Sequence, residues 1–142
     1  MNFVLDASVT MAWLLGDSKP ADRVYARGVL EALKKPDLSA EVPVTWALEV
    51  ANVIARGEAK QLITEAQSEA FLEMLASTAV SADHATFSTA FNDTLQLARR
   101  YRLSSYDASY LELALRSSLP LATLDAELGK AALKAGVARF VG

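Results

Sequence analysis

Four acidic residues stand where carboxylates are costly for folding but useful for chemistry. Asp6 directly follows residues 2–5, a short apolar run that indicates a buried strand. Asp125 follows a second apolar run, residues 120–124. Asp107 begins an apolar helical stripe, because Tyr110, Leu111 and Ala114 follow it at helical spacing. At least three acids therefore lie beside apolar segments that we expect to be buried.

The fourth acid, Glu49, lies at the edge of another apolar helical face. Trp46, Val50, Val53 and Ile54 repeat at the spacing of one face of a helix. At 100° per residue, Glu49 falls about 60° from Trp46 and about 40° from Val53. Its carboxylate is therefore expected at the border of the buried stripe.

Each acid also has a purely structural interpretation. Asp6 and Asp125 stand where they would cap the first and last helices. Asp107 has the spacing of the acid in a capping box, and an acid in a first helical turn suits the helix dipole. Glu49 would reach past the apolar face to water or pair with Arg56. Capping and chemistry are compatible, so these interpretations remain open.

Taken together, the four acids point to a cation site. All of them follow a strand or fall in the first turns of a helix, and in a parallel sheet such positions meet at one edge. Two carboxylates about 4 Å apart repel by about 4 kcal/mol at an effective dielectric constant of 20. The chain has no cysteine and a single histidine, His84, so the expected cation is Mg²⁺ or Mn²⁺. These ions bind substrate phosphates, which predicts phosphoryl chemistry.

Predicted strands alternate with predicted helices along the chain, which indicates an α/β fold with a mostly parallel sheet. These elements must position the four acids. The predicted strands are residues 2–5, 38–44, 79–82 and 119–124, with an edge strand at 137–141. The predicted helices are residues 9–15, 20–35, 45–60, one opening at Thr64, one from Phe87 and Phe91 to Arg102, 104–117 and 125–134. Within the helix at 104–117, Glu112 and Arg116 are expected on the solvated face.

Length and composition limit the class of protein. With 142 residues and 52% hydrophobic side chains, the chain is expected to form a single domain, residues 1–142. The absence of cysteine excludes disulfide scaffolds and thiolate chemistry. A net charge of −3 excludes binding of nucleic acid by bulk charge. Neither a membrane span nor a signal peptide is found in the sequence, so we expect a soluble cytoplasmic protein.

The four acid-bearing motifs, in this order and spacing, resemble the PIN-domain ribonucleases, and among them the VapC-type toxins of bacterial toxin–antitoxin pairs. The resemblance covers nearly the whole chain. The motifs are Phe3-Val-Leu-Asp6-Ala-Ser8-Val, Glu49-Val-Ala-Asn52, Leu103-Ser-Ser-Tyr-Asp107-Ala and Leu121-Ala-Thr-Leu-Asp125. Each motif is short, but four in order on a chain of this length are fairly specific.

The resemblance implies a three-layer α/β/α sandwich with a mostly parallel sheet of four to five strands. It also implies Mg²⁺- or Mn²⁺-dependent hydrolysis of RNA phosphodiester bonds by a metal-activated water. Carried onto this chain, Asp6 and Asp107 would be the principal metal ligands. Glu49 would complete the shell or orient a metal-bound water, and Asp125 would hold a second metal or its waters.

The same resemblance implies supporting residues and partners. Ser8, Asn52 and Thr123 are candidates for orienting the ligands. We expect a homodimer and a small antitoxin protein, itself DNA-binding, that blocks the site. The hydrophobic excess of the chain suits a partner surface.

A basic cluster lies shortly before Asp107. Arg99, Arg100 and Arg102 surround Tyr101 and are candidates for contact with the RNA backbone, with the tyrosine stacking on a base. The alternative is charge compensation at a helix C-terminus with a packed tyrosine.

Two other classes of protein place acids in similar positions. A phosphatase of the haloacid dehalogenase type, or a phospho-acceptor receiver domain, also has an aspartate after its first strand. The phosphatase requires a second aspartate two residues later, where this chain has Ser8, and both require a late lysine, which is absent between Lys60 and Lys130. The other alternative is a non-catalytic interaction domain whose acids only cap helices.

Overall fold

The computed structural model describes residues 2–16 and 19–142. These residues form a parallel four-stranded sheet in the order β3-β2-β1-β4. The strands are β1 (Asn2–Leu5), β2 (Ser39–Pro43), β3 (Val80–Asp83) and β4 (Leu121–Ala122). Because β1 lies between β2 and β4, its carboxyl end opens at the middle of the sheet edge.

Helices cover both faces of the sheet. They are α1 (Ala7–Ala12), α2 (Pro20–Leu33), α3 (Thr45–Ala59), α4 (Glu65–Ala76), α5 (Thr86–Thr89), a π-helical segment (Ala90–Thr94), α6 (Leu95–Tyr101), α7 (Ser105–Ser117) and α8 (Ala126–Lys134). Phe3 and Leu5 of β1 pack in a core with α1 and α2, whereas Val4 packs in a second core with α7 and α8. The side chains of β1 thus alternate between two faces of the sheet, and helices cover and bury both faces. This arrangement is the predicted α/β/α sandwich.

The strand predicted at residues 2–5 matches β1, and those predicted at 38–44 and 79–82 match β2 and β3 to within one residue at each end. The strand predicted at residues 119–124 is reduced to the two residues of β4. The predicted edge strand at 137–141 makes a single parallel bridge between Leu121 and Arg139. The segment is still anchored, because the Phe140 ring stacks on Phe3 with centroids 3.9 Å apart and Tyr25 donates a hydrogen bond to the Phe140 carbonyl.

The long helix predicted from Phe87 to Arg102 is present, but it contains a π-helical segment. This segment divides it into α5 and α6. Phe87 and Phe91 are 92% and 84% exposed, so they do not belong to the core. The extra residue in the π turn shifts the helical register between α5 and α6.

The prediction of a solvated face on α7 is wrong for Glu112, which is only 5% exposed. Arg116 donates hydrogen bonds to both Glu112 oxygens and to both Asp83 oxygens, which joins α7 to the end of β3. Burial of the carboxylate is tolerated because a guanidinium pairs with it in fork geometry. In the chain as far as the structure describes it, none of the helices is long and apolar enough to span a membrane.

Candidate active site

Asp6 lies at the carboxyl end of β1 and is 3% exposed. It occupies the N-cap position of α1, but its side chain makes no capping hydrogen bond. Instead, one carboxylate oxygen, Oδ2, accepts hydrogen bonds from Ser8 Oγ (2.5 Å) and Thr123 Oγ1 (2.7 Å). The capping interpretation of Asp6 is therefore wrong, and neither hydroxyl engages its other oxygen, Oδ1.

The two hydroxyls that hold Asp6 tie the end of β1 to the end of β4. The backbone N–H of Leu124 donates to Ser8 Oγ at 3.0 Å, and the N–H of Asp125 donates to Thr123 Oγ1 at 3.0 Å. Each hydroxyl accepts from the backbone and can donate to the carboxylate, which fixes its orientation. The structure thus places Ser8 and Thr123 directly on Asp6, where they orient it.

Glu49 is held by a contact that is distant in sequence. The Tyr110 hydroxyl on α7 donates a hydrogen bond to Glu49 Oε1 at 2.8 Å, and the tyrosine is fully buried. The helix that carries Glu49, α3, is anchored to α1 by a hydrogen bond from Trp46 Nε1 to Thr10 Oγ1 at 3.0 Å. Glu49 therefore binds Tyr110, and the predicted pairing with Arg56 is not formed.

Asp107 lies in the first turn of α7. Its backbone N–H donates to the Ser104 side chain at 3.1 Å, which caps the helix as the sequence predicts. Burial and the negative charges of Asp125 and Asp6 raise the pKa of the Asp107 carboxyl to about 6, although Ser104 offsets part of the rise. The carboxylate is thus both in a capped turn and close to the other acids.

Asp125 performs the structural role that the sequence allows. Its Oδ1 accepts a hydrogen bond from the Leu128 N–H at 2.9 Å and caps α8. Its charge also acts on the neighbouring acids, because it contributes to the raised pKa of both Asp6 and Asp107. The cap therefore places a negative charge at the same sheet edge.

The four acids affect one another electrostatically. Burial is the largest cause of the raised pKa of Asp6, with repulsion from Asp125 in addition, and the hydroxyls of Ser8 and Thr123 oppose it. Burial also raises the pKa of Glu49, with repulsion from Asp6 and Asp107, against the opposing bond from Tyr110. The acids predicted from separate parts of the sequence are thus brought together.

The donor set fits a hard divalent cation. Within residues 2–16 and 19–142, no three acidic or histidine side chains form a ready-made metal site. Mg²⁺ does not require one, because it keeps several waters and binds one or two carboxylates together with substrate phosphate. Carboxylates that are raised in pKa by burial and by one another gain most from a neutralising cation.

A cleft of about 500 Å³ adjoins two of the acids. It lies between the start of α3 and the start of α7 and is lined by Thr45, Leu48, Glu49, Asn52, Ser104, Tyr106 and Asp107. Asn52, which the sequence marked as a candidate, is exposed in this cleft. It is one helical turn from Glu49.

The basic cluster takes the position of helix-end charges. Arg99 and Arg100 are exposed in the last turn of α6, and the Arg100 guanidinium lies 5.7 Å from the centre of the Tyr101 ring. Arg102 follows the helix in a left-handed conformation. These three arginines are outside the lining of the cleft, so a contact with RNA remains a prediction.

Sequence reasoning missed Tyr110 as a functional residue. It was read as one member of an apolar stripe, whereas its hydroxyl positions Glu49. A signal was present, because a buried tyrosine requires a hydrogen-bond partner and Tyr110 shares a helical face with Asp107.

Parallel strands that end in a group of mutually repelling carboxylates define an α/β protein with a site suited to divalent metal and phosphate. The sequence matches the PIN domain family over residues 3–134, and the chain belongs to this family. PIN domains are typically nucleases that use divalent metals.

Comparison with solved structures supports the fold. The crystal structure of PAE2754 from Pyrobaculum aerophilum is similar with a TM-score of 0.64 and 24% identity, covering 92% of this chain and 79% of that chain. A search among curated proteins found no significantly similar sequence.

Proposed function

We propose that this chain is a metal-dependent endoribonuclease that acts in the cytoplasm as the VapC-type toxin of a toxin–antitoxin pair. The observation that carries the enzymatic part is the group of three carboxylates, Asp6, Glu49 and Asp107, whose pKa values are raised by burial and by repulsion among these acids and Asp125. None of the three side chains serves as a helix cap, because Asp6 makes no capping hydrogen bond, Ser104 caps α7, and Glu49 is bound by Tyr110. Raised pKa values at one site are typical of catalysis or ligand binding.

The residues take distinct roles in this proposal. Asp6 and Asp107 are the principal ligands of Mg²⁺ or Mn²⁺, Glu49 completes the shell or orients water, and Asp125 holds a second ion or its waters. When bound, the metal supplies an activated water and neutralises charge on the phosphate. Hydrolysis at such a site needs no histidine base.

The surrounding residues set the geometry of the acids. Ser8 and Thr123 both donate to Oδ2 of Asp6, so the carboxylate is held on one side and Oδ1 is left for other contacts. The buried Tyr110 hydroxyl donates a hydrogen bond to Glu49 and holds it in place. Burial and the charges of Asp6 and Glu49 raise the pKa of Tyr110, so its hydroxyl keeps its proton. Asn52 lies in the cleft beside these acids.

We also propose a homodimer and an inhibitory, DNA-binding antitoxin. The support is an apolar groove of about 510 Å³ between α3 and α4, to which Trp46, Val50, Ile54, Leu72 and Leu75 contribute. Open apolar surface of this kind favours burial against a protein partner. The groove borders α3, the helix that carries Glu49, so a partner bound there would lie near the acids.

The test compares wild type with Asp6→Asn, each expressed without any partner, by mapping new RNA 5′ ends across the transcriptome. Asparagine keeps an oxygen that can accept both hydroxyl hydrogen bonds but removes the charge. Asp93→Asn is the matched control, since Asp93 is an exposed aspartate in the π-helical segment. Purified proteins are assayed in parallel on the mapped RNA with Mg²⁺, with Mn²⁺ and with EDTA.

We expect discrete new ends with wild type and with Asp93→Asn, and none with Asp6→Asn. EDTA should abolish cleavage by the purified protein. Equal 5′ ends from wild type and Asp6→Asn, or full activity in EDTA, would show that the acids are not the catalytic centre.

A further inference from the structure

The cleft beside Glu49 and Asp107 carries two exposed apolar side chains that folding does not explain. Leu48 is 73% exposed and Tyr106 is 60% exposed, and both line the cleft. Leu48 comes from the first turns of α3 and Tyr106 from the first turn of α7. An aliphatic and an aromatic side chain thus flank one opening next to the acids.

The cleft also carries an exposed polar group. The amide of Asn52 offers both a donor and an acceptor. Thr45 lines the cleft as well, but its hydroxyl oxygen is buried and is therefore not available to a ligand there.

The charge of the lining restricts the ligand. Of the cleft residues, Glu49 and Asp107 are acidic, and neither lysine nor arginine is among the lining residues that the structure describes. A second phosphate is therefore disfavoured in the cleft itself. A neutral, planar group with hydrogen-bonding edges is favoured, and a nucleobase has these properties.

We propose that this cleft is a subsite for one unpaired nucleobase of the RNA, next to the phosphate that would lie at the metal site formed by the acids. The base stacks on Tyr106 and contacts Leu48, while Asn52 hydrogen-bonds to its edge. The substrate class is single-stranded RNA, because a base within a duplex cannot enter such a cleft. This inference rests on the proposed ribonuclease function.

The test is a cycle between one side chain and one base. The probe is a single-stranded RNA, about ten nucleotides long, that spans a mapped cleavage site. A series of otherwise identical probes each lacks one base. Cleavage by wild type and by Tyr106→Ala gives kcat and KM, and fluorescence anisotropy gives probe binding in the non-cleaving Asp6→Asn background.

Loss of stacking should weaken binding of the intact probe to Tyr106→Ala by about 5- to 150-fold. Tyr106→Phe keeps the ring and should bind like wild type. In the Asp6→Asn background, removal of the base at one position near the cleaved bond should weaken binding when Tyr106 is present. The same removal should not weaken binding further once Tyr106→Ala is introduced. That non-additivity would assign the base to the tyrosine. A merely structural role for Tyr106 could not produce it.

Two controls separate the subsite from other causes. Phe87→Ala removes an aromatic ring that is 92% exposed and lies outside the cleft, and it should bind the probe like wild type. Asn52→Leu removes the exposed amide of the cleft and should change the preference among the four bases at that same position, without loss of folded structure by circular dichroism.

The outcomes distinguish the two proposals. If wild type cleaves RNA but Tyr106→Ala binds and cleaves it equally well, or if every base removal acts equally on both proteins, the subsite is wrong and the nuclease remains. If wild type neither binds nor cleaves any probe with Mg²⁺ or Mn²⁺, the proposed function is wrong and the subsite is wrong with it.

Discussion

Replacing Asp107 with asparagine should stabilise the protein in the absence of metal. The Asp107 carboxyl is partly buried at the start of α7, close to the charges of Asp125 and Asp6, which raise its pKa from 3.8 to about 6. Ionisation of this group therefore disfavours the folded state. Asparagine keeps the shape and the backbone bond to Ser104 but cannot ionise.

The size of the effect follows from the pKa. A rise from 3.8 to about 6 corresponds to about 3 kcal/mol of destabilisation when the group is fully ionised. Because Asp107 is partly exposed, solvent screening reduces this to about half. Loss of the favourable interaction between an acid and a helix N-terminus removes up to about 0.5 kcal/mol. Asp107→Asn should therefore gain about 1 kcal/mol, or about 3–4 °C in Tm for a chain of this size.

The stability difference between Asp107→Asn and wild type should depend on pH. Above about pH 6 the wild-type group is ionised in both the folded and the unfolded state, and the full cost is present. As the pH falls from about 6 towards 3.8, the folded state takes up a proton first and wild type regains stability. The advantage of Asp107→Asn should therefore be present at pH 7.5 and largely lost near pH 4.

The assay is thermal denaturation of both proteins in EDTA across this pH range. Glu65→Gln is the matched control, because Glu65 is an exposed acid in the first turn of α4. Glu65→Gln should be slightly less stable than wild type at neutral pH. If Asp107→Asn is less stable than wild type at pH 7.5, or if the difference does not depend on pH, the carboxylate is a structural cap and the repulsion argument fails.

Three further changes test other parts of the structure. Tyr110→Phe removes the hydrogen bond to Glu49 and should lower kcat by about tenfold, with a native circular dichroism spectrum; unchanged kcat would show that Glu49 needs no positioning. Arg116→Met leaves the buried Glu112 unpaired and should cost about 3 kcal/mol in urea unfolding, and adding Glu112→Gln should restore much of it; equal stability of the single variant would contradict the pairing. Ser118 has a φ of 54°, so Ser118→Gly should raise unfolding free energy by about 0.5–1 kcal/mol, and a lower Tm would refute the strain.

The architecture was predictable because its causes are local. An apolar run of strand length followed by a polar helix start is visible in the residues themselves, as at residues 2–5 and Asp6. The capping box of Thr64 and Gln67 is likewise a matter of spacing, and the structure contains both of its hydrogen bonds. The local pattern did not predict the π-helical segment at residues 90–94, because a helical wheel assumes a constant periodicity.

The convergence of the acids was also predictable, because the ends of parallel strands meet at one edge whatever the side chains are. The pairing of each acid with its partner did not follow from spacing: Ser8 and Thr123 were candidates only through the family resemblance, and Tyr110 was missed. Thr123 reaches Asp6 across 117 positions of sequence, and Tyr110 reaches Glu49 across 61. Such contacts depend on strand order and helix packing, which local spacing does not contain.

By itself, the sequence determined the class of fold, the edge at which the acids gather and the oxygen-only chemistry of the site. Only the tertiary structure decided that Asp6 is held by hydroxyls and does not cap α1, that Glu112 is buried with Arg116, and that the Thr45 hydroxyl is buried without a partner. The physical reason is that residue type and periodicity specify what a side chain prefers. Which partner or solvent it meets depends on segments far away in the chain.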